Sequence, residues 1–128
     1  MIEVAIAEDH TELRLTLRLL LNYHADLSVV CECENGLQAV ECVKKFAPDV
    51  LITDLHMPEV DGLEAARQIQ ALEVKTRIIL ISSEMDLLSE ADLVVAGVHG
   101  FVLKDKLFEC LYPAIRAAAS GETFFGSF

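Results

Sequence analysis

Val50-Leu51-Ile52-Thr53-Asp54-Leu55-His56-Met57-Pro58-Glu59-Val60-Asp61-Gly62 is the stretch on which the fold turns. Val50 to Thr53 are apolar or β-branched, the composition of a strand covered on both faces. Asp54 closes that run, and the Pro- and Gly-containing segment behind it has neither strand nor helix period, so it reads as a loop. A carboxylate therefore stands at the carboxyl end of a buried strand. Asp61-Gly62-Leu63-Glu64 then has the spacing of a helix N-cap with a capping box, opening a helix over Leu63 to Leu72. Pro58 shapes the loop and Gly62 lets the backbone turn tightly there.

The same unit recurs outward along the chain. Four more short apolar runs read as strands: Glu3 to Ala7, Val29 to Glu34, Ile78 to Ile81 and Gly100 to Leu103. Segments of helical period lie between and after them: Thr11 to Tyr23, with Leu13, Leu17, Leu20 and Leu21 on one face, Leu37 to Phe46 with Val40 and Val43, Leu87 to Ala96, and Leu107 to Ala119. Strand and helix alternate throughout, which calls for an α/β fold: a doubly wound, five-stranded parallel sheet with right-handed crossovers and helices on both faces. Such sheets bind ligands outside the carboxyl ends of their strands, near the point where strand order reverses. Glu8 and Asp9 follow the first run, Asp54 the third, Ser82 the fourth and Lys104 the fifth, so five polar residues distant in sequence share one address.

Composition narrows the function. A chain of 128 residues suits one domain. Arg14 and Arg18 interrupt the leucine-rich segment Leu13 to Leu21, so no stretch has membrane-spanning length, and Met1-Ile2-Glu3-Val4 lacks a secretory n-region. A cytoplasmic protein without membrane contact is expected. The net charge of −11 disfavours docking on nucleic acid. Cys31, Cys33, Cys42 and Cys110 fall in a strand and two helices without paired C-x-x-C spacing, and buried free thiols are expected rather than a metal site or disulfide.

Three carboxylates, Glu8, Asp9 and Asp54, repel one another unless a cation relieves them, and Mg²⁺, which takes oxygen ligands and keeps several waters, is the expected one. Each residue has a plainer reading. Asp9 has Glu12 at capping-box spacing, Asp54 alone resembles a turn residue, and Ser82 and Lys104 singly are a strand-end hydroxyl and a solvated lysine. Together they supply what a nucleophilic carboxylate needs: a metal on its oxygens, a hydroxyl, and a lysine for an incoming phosphoryl group. Asp61 reads as a helix cap, and His10 and His56 as loop residues, His56 offering a backbone carbonyl.

Over nearly its whole length the chain resembles the receiver domain of two-component response regulators. Glu8-Asp9 is similar to the family's acidic pair, Asp54 to its phospho-accepting aspartate, Ser82 to its hydroxyl residue and Lys104 to its lysine. Asp54-Leu55-His56-Met57-Pro58 with Asp61-Gly62 resembles the D-x-x-M-P-x-x-D/N-G loop. The resemblance implies a flavodoxin-like fold and Mg²⁺-dependent phosphorylation of Asp54 by a sensor histidine kinase. It also implies self-dephosphorylation, with no other enzymatic turnover. Asp9, Asp54 and the carbonyl of His56 would hold the metal, with Glu8 acting directly or through water. His56 and Glu84 fall where the family tunes hydrolysis, and Phe101 where an aromatic switch answers the movement of Ser82. Lys104-Asp105 and Ala114-Ile115-Arg116-Ala117-Ala118-Ala119-Ser120-Gly121-Glu122 resemble the NarL/FixJ subclass, whose members usually carry a LuxR-type helix-turn-helix.

Residues 1–121 would thus be the receiver and 122–128 the start of a linker or tail, with the output domain absent. DNA would be reached only through that domain, and a second copy of the chain becomes a partner on phosphorylation. Three other functions stay open. The chain could be a stand-alone receiver acting through protein partners, or a binding module indifferent to phosphorylation. A phosphohydrolase of the haloacid dehalogenase type also uses an aspartyl phosphate, but it wants a second acid two residues on, where this chain has His56.

Overall fold

The computed structural model describes residues 1–83 and 89–125. Within them five strands, β1 (Ile2–Ala7), β2 (Leu27–Cys33), β3 (Val50–Asp54), β4 (Arg77–Ser82) and β5 (Gly100–Leu103), alternate with five helices, α1 (Thr11–Asn22), α2 (Gly36–Phe46), α3 (Gly62–Ala71), α4 (Glu90–Val95) and α5 (Leu107–Ala119). All strand pairs are parallel and the order is β2-β1-β3-β4-β5. The α/β, flavodoxin-like arrangement read from the sequence is the one observed.

Side-chain alternation along the strands separates two cores. Val4, Ile6, Val50, Ile52, Ile79, Ile81 and Val102 face α1 and α5. Ala5, Ala7, Leu51, Ile78, Leu80 and Phe101 face α2, α3 and α4. Both faces of β1, β3 and β4 are thus covered, which is why these runs are apolar at consecutive positions rather than at every second one. Leu17 and Leu21 are the fully buried contacts of α1, with Leu13 and Leu20 packed partly against the same core. Each buried leucine contributes about 1.5–3 kcal/mol relative to exposure, and this fixes the helix behind β1.

Local signals set the helix ends. The Asn35 side chain accepts the N–H of Gln38 at the start of α2, and the Asp61 side chain accepts that of Glu64 at 2.8 Å to start α3. The reciprocal half of a capping box is found at α4, where Ser89 and Asp92 each accept the other's N–H. Asp9, read as a candidate N-cap, is not one: His10 occupies the cap position of α1 without a side-chain cap bond. Gly62 is the first residue of α3, and a Cβ there would run into the carbonyl of Asp54, so close approach, not turning, requires the glycine.

Two findings depart from the sequence reading. Cys31 on β2 and Cys42 on α2 form a disulfide, with Cα atoms 6.5 Å apart, while Cys33 and Cys110 are free. Linear spacing shows neither that Cys31 and Cys33, past a register shift in β2 that leaves Leu27 and Val29 on the opposite core, turn toward α2 nor which turn of that helix meets them. In addition, the segment after α5 folds back onto the sheet: the N–H of Phe124 donates to His99 O, and that of Phe101 donates to Phe124 O, both at 2.9 Å. Phe124 packs against the α1/α5 core and Phe125 against the opposite one. Among the described residues, no helix is long and apolar enough to cross a membrane.

Candidate functional site

The strand order reverses between β1 and β3, and the polar residues collect at the carboxyl end of that pair. β1 delivers Glu8, fully buried, and Asp9, exposed; β3 ends on Asp54, 4% exposed; β4 ends on buried Ser82. Lys104 follows β5 directly and opens a short 3-10 turn. The loop after Asp54 is held by the Leu55 N–H on Ile81 O at 2.9 Å and the Gly62 N–H on Leu55 O at 2.8 Å. Thus β4 and α3 together fix the direction in which Asp54 points.

Lys104 joins two of the three carboxylates. Its Nζ lies 2.9 Å from Asp54 Oδ2 and 3.4 Å from Glu8 Oε1. Burial pulls the ammonium pKa down, but the bonds to Asp54 and Glu8 outweigh it and hold the group above its ordinary value. The N–H of His56 donates to Asp54 Oδ1 at 3.3 Å, and the His56 side chain is exposed. Glu8 Oε2 accepts the His10 N–H at 3.0 Å, whereas Glu8 Oε1 is buried and makes no hydrogen bond among the described residues. Burial raises the Glu8 pKa from an ordinary 4.5 to about 7; the His10 N–H opposes the rise and the charge of Asp54 adds to it.

A divalent cation fits these residues. Glu8, Asp9 and Asp54 offer ligand oxygens within 4.8 Å of one another, all hard donors, and buried Glu8 Oε1 faces Lys104 but accepts no hydrogen bond among the described residues. The five residues expected to meet are therefore brought to one strand edge. Phe101, 1% exposed, packs in the α2–α4 core beside Leu80, its register partner on β4. Glu84 lies outside the described residues.

Sequence reasoning missed Arg14. Its guanidinium donates to Glu8 O at 2.7 Å and pairs with Glu34 at 3.5 Å, bracing the end of β1 against α1 and the segment after β2. An arginine one turn into the helix behind an acidic pair was the available signal; it had served only to mark the helix as non-membranous.

Comparison with known proteins agrees with this geometry. Residues 4–116 match the family model described as the response regulator receiver domain, and the chain belongs to that family: it is a receiver domain of two-component response regulators. It is 36% identical over 124 residues to the transcriptional regulatory protein YxjL of Bacillus subtilis, covering 97% of this chain and 57% of the relative. It is 34% identical over 122 residues to the nitrate/nitrite response regulator NarL of Escherichia coli, covering 93% and 55%. Among solved structures, a LuxR-family DNA-binding response regulator from Staphylococcus aureus superimposes with a TM-score of 0.86 at 28% identity, covering 93% of this chain and 99% of that one. The chain spans a little over half the length of these curated relatives.

Proposed function

We propose that Asp54 is the phospho-acceptor of a cytoplasmic signalling switch, loaded from the phosphohistidine of a sensor histidine kinase. The observation that carries this reading is the pairing of Asp54 with Lys104 at the switch point, beside a buried Glu8 that shares the same lysine. A carboxylate oxygen of Asp54 forms the new bond to phosphorus while the P–N bond of the kinase imidazole breaks, its electron pair returning to that nitrogen. Lys104 moves from Asp54 Oδ2 to a phosphoryl oxygen, and the Ser82 hydroxyl donates to another. Glu8, Asp9, Asp54 and the carbonyl of His56 would hold Mg²⁺, which when bound offsets the negative charge gathered on carboxylate and phosphoryl oxygens. Water later attacks the phosphorus of the acyl phosphate, breaking the bond to the Asp54 oxygen so that the carboxylate is regenerated and inorganic phosphate leaves, at a rate set by His56 and Glu84, and no other turnover is expected of the chain.

The response passes from Ser82 to Phe101 and on to residues 122–128, read as the start of a linker leaving a receiver of residues 1–121. The bond from the Phe101 N–H to Phe124 O supports that route, because it ties the proposed switch residue to the departing chain. The output proposed is transcription, through a DNA-binding domain beyond this segment and a second copy of the chain paired on phosphorylation. Relatives named as transcriptional regulatory proteins, nearly twice the length matched, support it. The decisive test is incubation with a small acyl phosphate and Mg²⁺, followed by intact-mass measurement. One phosphoryl group should be gained by the wild type and none by Asp54→Ala; equal gain in both would remove Asp54 from the role.

A further inference from the structure

The β2–α2 side of the molecule carries chemistry that the phosphoryl site does not use. Cys31 is partly exposed and lines an open surface cavity of about 430 Å³ together with Glu32, Cys33, Leu37, Cys42 and Phe46. Cys42, behind it on α2, is buried, and the Cα separation of 6.5 Å lies inside the range a disulfide spans.

The geometry points to Cys31 and Cys42 as a reversible thiol–disulfide modification site, oxidised by low-molecular-weight disulfides of the glutathione type and opened by the corresponding thiols. In a reducing cytoplasm, disulfides are mostly transient and redox-sensing, so the bridge is a state of the protein and not a permanent staple. The steps follow from exposure. The Cys31 thiolate, reachable through the cavity, attacks one sulfur of the small disulfide and expels the first thiolate. The Cys42 thiolate then attacks the Cys31 sulfur of the mixed disulfide and expels the second. Two protein thiols and one small disulfide give one protein disulfide and two small thiols; the protons of Cys31 and Cys42 end on the leaving thiols.

The other cysteines stand apart from this exchange. Cys33 shares the cavity, but its Sγ donates to Ile6 O at 3.5 Å, and burial pushes its thiol up to about 11, so it remains protonated. Cys110 lies against the α1/α5 core on the opposite face of the sheet.

The clip joins two elements that border the phosphoryl site. Cys33 O, two residues along β2, accepts the Glu8 N–H at 3.0 Å, and the N–H of Gly36, which opens α2, donates to Val60 O in the Asp54 loop at 3.1 Å. The redox pair itself rests on no assumption about Asp54.

The fully reduced chain, given excess oxidised glutathione, should lose two of its four alkylatable thiols; peptide mapping should place the bridge at Cys31–Cys42, and dithiothreitol should restore all four. Cys42→Ser should stop at a glutathione adduct on Cys31. Four alkylatable thiols persisting in the wild type, a bridge involving Cys33, or a bridge between two chains would each overturn the inference. Should Cys42→Ser fail to fold, the wild-type thiol count alone decides it.

Discussion

Asp49 and Asp54 bracket β3, and the two ends of that strand treat a carboxylate differently. Asp49 Oδ2 accepts the Glu3 N–H at 2.8 Å, and Oδ1 faces the exposed ammonium of Lys75 at 3.3 Å. The Glu3 bond, together with Lys75, holds its carboxyl below the ordinary 3.8. At the far end, Asp54 and buried Glu8 share one lysine, and Glu8 keeps an oxygen without a hydrogen bond. A carboxylate whose acceptors are filled locks β1 to β3. Two buried carboxylates that share a single lysine store an electrostatic cost that a further cation can relieve.

Exchanging the lysines tests this contrast most severely. Lys104→Met removes the cationic partner that Asp54 and Glu8 share among the described residues, and with it the proposed contact to the phosphoryl group. Phosphorylation by a small acyl phosphate should slow about 10²-fold, the usual cost of one charge-stabilising donor. Lys75→Met at the other end should leave that rate unchanged and shift stability by about 0.2–1 kcal/mol. Equal effects of the two substitutions on rate would erase the distinction between the ends.

Glu8 makes the second largest prediction. Its folded pKa, about 7, lies above its ordinary 4.5, so between those values the folded chain binds more protons than the unfolded one. Its contribution to stability is therefore complete below about pH 4.5 and is lost as pH rises through 7, on the order of 2–3 kcal/mol. Urea midpoints from pH 5 to 8 in metal-free buffer should fall, Glu8→Gln should flatten the trend, and Mg²⁺ should recover stability at the alkaline end. A flat wild-type profile would contradict the proposed strain.

How much of this could be read from the chain itself differs between elements. The extents of β5 and α5 are those expected, Gly100–Leu103 and Leu107–Ala119, even though Pro113 stands inside the helix. The buried central strands carry an apolar signal strong enough to locate Asp54, Ser82 and Lys104 at their ends. The edge strand β2 begins two residues earlier than expected, because Leu27 and Ser28 pair with β1 through their backbone and need no apolar pattern to do so. What the chain hides is contact between elements. The Cys31–Cys42 bridge, Arg14 on Glu8 O and Phe124 on the β5 edge all depend on register and helix rotation, which no single segment encodes.

A smaller prediction concerns Asp61, in the same loop as Asp54 but with its side chain on a helix N-terminus. Asp61→Ala removes the acceptor for the Glu64 N–H and should cost about 1 kcal/mol, or about 4 °C in Tm, with phosphorylation of Asp54 retained. Loss of phosphorylation in a folded Asp61→Ala chain would move this residue from cap to site.

The smallest effect, and the one that separates the two ends of β3 by sign, belongs to Asp49. Because its carboxyl is held below the ordinary value, its contribution to stability is present above about pH 3.8 and is lost as pH falls through the lowered pKa, the reverse of Glu8. Asp49→Asn preserves an oxygen for the Glu3 N–H and discards only the charge facing Lys75, so at neutral pH it should cost less than about 1 kcal/mol. Its stability should converge with that of the wild type under acid conditions, where Asp49 is protonated in both folded and unfolded chains. Glu8→Gln should show the opposite pattern, matching the wild type in acid and exceeding it above pH 7. If both variants converge with the wild type at the same end of the pH scale, the two carboxylates are under the same kind of constraint, and a lysine of its own versus a shared one cannot be what distinguishes a structural acid from a reactive one here.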